Sequence, residues 1–217
     1  MIRIFSMHIL LITLFYGSYT VSLPACNGDF KNHCNGIINH RNGERYVGEI
    51  RDFKYNGQGT YLFLNGNIYE GEFKDGIQDG YGSFTFSNGD KYEGGFKNGL
   101  FHGKGVGTSS DGSKYVGQYV EDLPHGNGTQ TLSNGDEYVG EFVHGLRSGK
   151  GIYIFANGDK YEGEFERNLF NGKGVLTLVN GNKKNIYELI FFFYKLYFCY
   201  EISNFDIKYV SFFSFCK

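Results

Sequence analysis

The chain has 217 residues and a formal net charge of −2, and it contains 33 Gly, 22 Phe and 18 Tyr but only 2 Pro and 4 Cys. The glycines follow no three-residue period, which excludes collagen. The nearly balanced charge argues against a nucleic-acid partner, and four cysteines are too few for a disulfide-built scaffold. Abundant glycine and aromatic residues with little proline favour a repeated β structure rather than an enzyme.

The first 22 residues have the pattern of a secretory signal peptide. Arg3 precedes an apolar run, and Ser18 with Thr20, or Thr20 with Ser22, supply the small residues before plausible cleavage sites. The run is shorter than the ~20 residues that span a membrane. We predict that residues 1–22 are removed and that the protein is secreted; the alternative is an uncleaved membrane anchor.

Residues 23–41 are predicted to form an N-terminal cap. Cys26 and Cys34 could form a disulfide in an oxidising compartment, and two free thiols are the alternative. Cys34 and Gly36 are in phase with the glycine pairs of the repeat that follows. We therefore expect residues 34–41 to be the second strand of a truncated repeat unit, fastened by the disulfide.

A repeat of 23 residues fills residues 42–179 without a gap. Every unit has tyrosine in its fifth place, glycine two residues later, and a bulky apolar residue in its ninth place. Six copies in phase indicate one structural unit repeated along the chain. The six units begin at Asn42, Asn65, Asn88, Asp111, Asn134 and Asn157.

The segment NGDKYEGGF at residues 88–96, followed by GKG at residues 103–105, resembles a MORN repeat, and so do the other five units. The resemblance implies an all-β fold, an elongated single-layer antiparallel sheet of tandem β-hairpins. Similar repeats occur in junctophilins, plant phosphatidylinositol-phosphate kinases, a lysine methyltransferase and cytoskeletal scaffolds. The resemblance therefore implies the binding and positioning of proteins or membranes, without a shared reaction.

Two loop lengths compete at the corner that joins one unit to the next, around Asn88. A two-residue loop would scatter the aromatic side chains over both faces of the sheet. A three-residue loop, with its glycine in the left-handed conformation, pairs Phe84 with Tyr92 and Gly82 with Gly94. Because a slip of one residue exchanges the faces, this register places the rings on one side. We predict the three-residue loop.

The predicted ring face is the candidate binding site, because large exposed apolar patches usually mark interaction surfaces. The alternative is that the rings pack along the sheet as its own core. The predicted contact residues are Tyr69, Phe73, Phe84, Phe86, Tyr92, Phe96, Tyr115, Tyr119, Tyr138, Phe142, Tyr161 and Phe165. The glycines that should leave room for rings of neighbouring strands are Gly71, Gly82, Gly94, Gly105, Gly117, Gly140 and Gly163.

The opposite face carries alternating Lys and Glu, with Lys150 expected across from Glu164, and is predicted to be solvated. The partner of the ring face would be another protein or a second copy of the chain. An anionic lipid surface is disfavoured, because residues 42–179 contain 13 Lys plus Arg against 19 Asp plus Glu. No kinase domain fits in the remaining residues, so a kinase-like name would not carry the activity.

We expect no catalytic residue, no metal site and no cofactor. The segment at residues 145–150 resembles a phosphate loop, but its glycines are too close together. His102 and His125 share one repeat position and lack further metal ligands. Asn127 begins the only glycosylation sequon, which has meaning only in a eukaryotic secretory route.

The tail, residues 180–217, departs from the repeat. Lys184 stands where a seventh tyrosine is due, and residues 183–217 contain no glycine. The tail could cover the ring face, associate with a membrane, or not be native protein sequence at all. The abrupt change toward residues with A- and T-rich codons favours the last interpretation, which transcript sequencing would test.

Overall fold

The computed structural model describes residues 24–28 and 30–187. The predicted signal peptide and the tail after residue 187 lie outside these residues. The described part contains fourteen β-strands and no helix, and the strands form one open antiparallel sheet in sequence order. The strands are β1 Cys34–Asn39, β2 Arg45–Arg51, β3 Lys54–Leu62, β4 Ile68–Lys74, β5 Ile77–Thr85, β6 Lys91–Lys97, β7 Leu100–Thr108, β8 Lys114–Val120, β9 Leu123–Thr131, β10 Glu137–Val143, β11 Leu146–Ile154, β12 Lys160–Glu166, β13 Leu169–Thr177 and β14 Lys183–Tyr187.

The predicted all-β single-layer sheet is confirmed, and so is its register between units. Phe84 lies opposite Tyr92 and Gly82 lies opposite Gly94. At the corner, the Gly89 amide donates to the Phe86 carbonyl (3.0 Å), and Gly89 has a φ of +94°. This is the three-residue loop with a left-handed glycine, the geometry that brings the large rings to one face.

A second turn, inside each unit, was not assigned from the sequence. It has two residues, both with positive φ, as in Asp75-Gly76 and Asn98-Gly99. Such turns match the twist of antiparallel strands and favour Asn-Gly or Asp-Gly. In the first unit Phe53 takes the second place with a φ of +61°. The left-handed conformation costs a non-glycine residue about 1–2 kcal/mol.

The N-terminal end of the sheet is covered by the segment that precedes β1. A disulfide joins Cys26 to Cys34, with their Cα atoms 5.2 Å apart. The Cys26 amide donates to the Asn35 carbonyl, and the Asn35 amide donates to the Pro24 carbonyl, both at 2.8 Å. These bonds pair part of the outer edge of β1, which would otherwise be open to another strand.

At the other end, the sheet continues into the segment that the sequence marks as atypical. Strand β14 pairs with β13, and Lys184 lies opposite Leu176, at the register position that tyrosine takes in the six units. The first residues of this segment therefore follow the repeat geometry although they lack the repeat sequence.

Side chains at the unit corners couple each unit to the next. The Asp90 carboxylate accepts a hydrogen bond from the Ser110 amide (2.7 Å), and the Asp136 carboxylate accepts one from the Ala156 amide (2.8 Å). These bonds link corners one repeat apart. Stability in such a ribbon comes from each unit together with its neighbour contacts.

Candidate binding surfaces

The predicted contact rings are mostly inside the molecule. Ten of the twelve are buried, with Tyr69, Tyr138 and Tyr161 at 0% exposure, while Phe84 and Phe86 are half-buried. The rings pack against one another along the sheet and form its core. This is the arrangement that we gave as the alternative to an open ring face. Tyr81 is an exception to the one-sided pattern, since it lies on the opposite face and is exposed.

Each buried tyrosine is held by a short motif of its own strand. The Tyr92 hydroxyl donates to the carbonyl of Gly95, at the bulge of β6, over 2.8 Å. Its ring covers Gly94 and Gly105, since a Cβ on Gly105 would lie 2.5 Å from the Tyr92 Cε2 atom. Gly94 thus makes room for a ring two residues earlier on its own strand, and Gly105 makes room for the same ring from the neighbouring strand. The glycines predicted to leave room for rings of neighbouring strands do so at Gly82 and Gly105, which lie under Tyr69 of β4 and Tyr92 of β6. The other five predicted glycines lie under the tyrosine of their own strand.

Burial also fixes the chemical state of these phenols. It raises the pKa of Tyr92 and of Tyr138 to about 12. Both hydroxyls therefore stay protonated and donate hydrogen bonds at neutral pH. These tyrosines serve the structure as donors and are poorly suited to act as bases.

The recurring glutamates have a structural role as well. The Glu49 carboxylate accepts a hydrogen bond from the Gln58 amide (3.0 Å), and Glu72 and Glu141 make the same bond nine residues along the chain. Lys150 lies opposite Glu164, as the register predicts. Glu49, Glu72 and Glu141 are thus used to hold backbone, and the Glu164 carboxylate reaches over Gly172.

A further ring, which was not predicted from the sequence, covers the tyrosine in three units. The stacked pairs have centroids 3.9 Å apart in Tyr46–Tyr55 and 3.8 Å apart in Tyr92–Phe101. In the fifth unit the Arg147 guanidinium takes this place, 5.7 Å from the Tyr138 centroid. These residues all occupy the fourteenth place of their units, so the sequence pattern at that place could have predicted the contact.

The described residues contain no cluster of three or more His, Cys, Asp or Glu that could hold a metal. His125 instead packs against His144, with ring centroids 5.8 Å apart. Within the same residues no helix is long and apolar enough to cross a membrane.

The face opposite the rings, which was predicted to be solvated, carries an exposed aliphatic patch. Units four and five have valine at two places where most other units have charged residues, such as Glu93 and Lys97. Across the strands Val120 lies opposite Leu123 and Val143 opposite Leu146. We define the aliphatic patch as Val116, Val120, Leu123, Val139, Val143 and Leu146, each 38–44% exposed.

The predicted glycosylation residue lies within this patch. Asn127 is exposed on β9, between β8 and β10, which carry the four valines of the patch. It lies opposite Glu141 in the ladder. A glycan on Asn127 would occupy the same surface as a partner of the patch.

Sequence comparison matches six tandem copies of one family, described as MORN repeat, at residues 46–68, 69–91, 92–114, 115–137, 138–160 and 161–183. No curated protein matches the chain. One similar solved structure is the TCP domain of Drosophila melanogaster SAS-4 in complex with a proline-rich motif of Ana2. It is 16% identical, covers 75% of this chain and 92% of its own, and has a TM-score of 0.41.

Another is the TCP10 domain of Danio rerio CPAP in complex with a STIL peptide, with 15% identity, 70% and 77% coverage and a TM-score of 0.25. Likeness at this level carries no argument about function. The repeat matches cover more than half of the chain and coincide with the hairpin units of the sheet. The chain belongs to the MORN repeat family.

Proposed function

We propose that this protein is a non-enzymatic scaffold that binds another protein through the aliphatic patch. The observation that carries the proposal is the exposure of six aliphatic side chains on two adjacent units. Exposed apolar clusters of this kind are typical of interaction surfaces. The repeated tyrosines, the repeated glycines and three of the repeated glutamates are already used to hold the sheet, which leaves the substituted positions to distinguish one unit from another.

The charge pattern around the patch supports this assignment. The flanking strands carry Glu93 on one side and Glu162 on the other, at the position that Val116 and Val139 take. Interface centres are depleted of charged residues, while the rim is polar. A mainly apolar partner that also offers a polar group to Asn127 and Glu141, which lie between the two rows of the patch, would fit this face. The ring face offers less, since only Phe84 and Phe86 among its predicted contact residues are half-exposed.

We also infer that the protein enters the secretory pathway. The Cys26–Cys34 disulfide supports this route, because such bonds persist in oxidising compartments. In a eukaryotic host, a glycan on Asn127 would cover the patch and compete with the partner. Binding is therefore best measured with Asn127→Gln as the common background.

The test replaces two valines of the aliphatic patch with the glutamates that other units have at the same place. Val116→Glu with Val139→Glu copies Glu93 and Glu162, so the sheet should tolerate both changes. Proteins retained from the medium of the source cells by the full chain should be lost with this double variant. We expect affinity for a retained protein, measured by titration, to fall by more than about tenfold, as for central interface residues.

The matched control is Val47→Glu, which makes the same change at an exposed valine in the first unit, outside the patch. This variant should bind as the parent does. Equal binding by the double variant and the parent, with both folded by circular dichroism, would contradict the proposed surface.

A further inference from the structure

The corners between units share one backbone geometry. In the seven corners of the described sheet the glycine amide donates to the carbonyl three residues earlier, at 2.8–3.0 Å, and the glycine φ is positive. The fourth unit has Asp111-Gly112 at this place, and the other corners have Asn-Gly. The six corner asparagines are Asn42, Asn65, Asn88, Asn134, Asn157 and Asn180. Differences in reactivity between these asparagines therefore arise from the contacts of their side chains.

The residue two positions later holds the side chain of each corner asparagine. The asparagine Oδ1 accepts a hydrogen bond from the amide of that residue at 3.0–3.1 Å in all six corners. In four corners the asparagine Nδ2 also donates to a carboxylate of that residue, at 2.8–3.0 Å. The four pairs are Asn42 with Glu44, Asn88 with Asp90, Asn134 with Asp136 and Asn157 with Asp159. These four side-chain amides are fixed at both ends.

Asn65 and Asn180 lack the second bond, because the residue two positions later is another asparagine, Asn67 or Asn182. Within residues 24–28 and 30–187, neither Nδ2 group has a hydrogen-bond partner. Both asparagines are exposed, and an exposed glycine follows each of them. Since glycine has no Cβ, its backbone nitrogen can approach the side-chain amide of the preceding asparagine with little steric hindrance. These two side-chain amides can turn toward that nitrogen.

The acid of the preceding corner does not replace the missing bond. Glu44 is hydrogen-bonded to the Leu64 backbone, and the Asp159 carboxylate accepts a hydrogen bond from the Val179 amide at 2.8 Å. Both acids therefore contact the backbone of the residue before the asparagine, and they leave its side-chain amide without a partner.

We propose that Asn65 and Asn180 are the corner asparagines that deamidate first. The backbone nitrogen of the following glycine attacks the asparagine Cγ, so that an N–C bond forms and the Cγ–Nδ2 bond breaks. Ammonia leaves and carries away the proton of the glycine amide. Water then opens the resulting cyclic imide at either carbonyl, which gives aspartate or isoaspartate. The proposal does not depend on the function proposed for the aliphatic patch.

The acid partner protects the other corners in two ways. The bond from Nδ2 to the carboxylate must break before the side chain can turn toward the glycine nitrogen. The product would also place a new carboxylate against the existing one, where like charges repel. In the third unit, hydrogen bonds from the Ser110 amide and the Asn88 side chain lower the pKa of Asp90, so this carboxylate is ionised at neutral pH.

The two products have different effects on a corner. Aspartate is compatible with the fold, because Asp111 already takes this place and accepts a hydrogen bond from the Ser113 amide at 2.8 Å. Isoaspartate adds a backbone carbon to a loop whose length determines the pairing of the strands. Its formation at Asn65 would therefore disturb the corner between β3 and β4.

The experiment incubates the full chain at mildly alkaline pH and follows each corner by mass spectrometry of its peptides. Digestion at mildly acidic pH limits further reaction, and electron-transfer fragmentation distinguishes isoaspartate from aspartate. Asn65 and Asn180 should be converted about three- to tenfold faster than Asn88 and Asn134, the factor that one hydrogen bond contributes. In urea the rates should become similar, because every one of these asparagines precedes glycine.

Two reciprocal variants test the contact itself. Asn67→Asp supplies the acid and should slow Asn65 to the rate of Asn88, whereas Asp90→Asn removes it and should bring Asn88 to the rate of Asn65. Each change copies another unit, and the new side chain can still accept the hydrogen bond from the next corner, as Asn67 does from Ser87 at 3.0 Å. Equal rates at Asn65 and Asn88 in the folded parent, or an unchanged rate in either variant, would overturn the proposal.

Discussion

Gly105→Val should destabilise the ribbon by about 3 kcal/mol or more, at the upper end of the range for overpacking. The backbone of β7 is extended at this residue, so β propensity alone favours valine. The new Cβ, however, would lie 2.5 Å from both Cε2 and the hydroxyl oxygen of Tyr92. That ring cannot move away, because it is stacked on Phe101 and bonded to the Gly95 carbonyl. Urea denaturation followed by circular dichroism measures the change.

Lys104→Val is the control for this prediction. It introduces the same valine side chain one residue away, at an exposed position on the opposite face of the same strand. The free energy of unfolding should change by no more than about 0.5 kcal/mol. Comparable losses in the two variants would mean that the ring does not lie over the glycine.

Tyr138→Ala should cost about 3–5 kcal/mol, the range for removing a large ring from a core. Tyr138 is fully buried, and its ring contacts Phe142 and Phe165 at centroid distances of 5.1 Å and 4.7 Å. Tyr138→Phe keeps the ring and removes only the hydroxyl, which donates to the Glu141 carbonyl (3.0 Å) and also to the Ser148 carbonyl (3.3 Å). Its cost should be about 1–3 kcal/mol, because a buried acceptor loses its partner.

Tyr81→Phe removes the same hydroxyl at an exposed site and so shows how much of the cost of Tyr138→Phe comes from burial. Tyr81 also donates to an acceptor, Glu93 at 2.8 Å, but it is 57% exposed. Water can replace the lost bond there, so the free energy of unfolding should change by no more than about 0.5 kcal/mol. An equal cost for Tyr81→Phe and Tyr138→Phe would contradict the assignment of Tyr138 to the core.

The repeat pattern was sufficient to predict the strand order and the register between units. Only one loop length places Phe84 opposite Tyr92 and glycine opposite glycine, so periodicity and the one-sided distribution of rings determine the pairing. The turn inside each unit was also predictable, since Asp75-Gly76 and Asn98-Gly99 are typical of two-residue hairpins. The corner between units has the more regular Asn-Gly or Asp-Gly pattern, and only this corner was assigned from the sequence.

The burial of the rings could not be read from the sequence in the same way. Whether a one-sided row of rings is open or closed depends on side-chain direction, and a hydroxyl bond to a bulge carbonyl sets that direction for Tyr69 and Tyr92. The pattern of hydrophobic residues does not predict such a bulge. The aliphatic patch, in contrast, was predictable. Val116 and Val139 replace the Glu of neighbouring units, and a comparison between units shows this substitution.

Hydroxyl-radical footprinting of the full chain, with the modified residues located by mass spectrometry, tests the central claim most directly. That claim is that the repeated tyrosines form a closed core, so that partners meet other surfaces. Tyr81 and Phe53 should be oxidised readily, while Tyr69, Tyr92 and Tyr138 should be protected in the folded chain and react only after denaturation. Oxidation of these three tyrosines in the folded chain at the rate of Tyr81 would contradict the account.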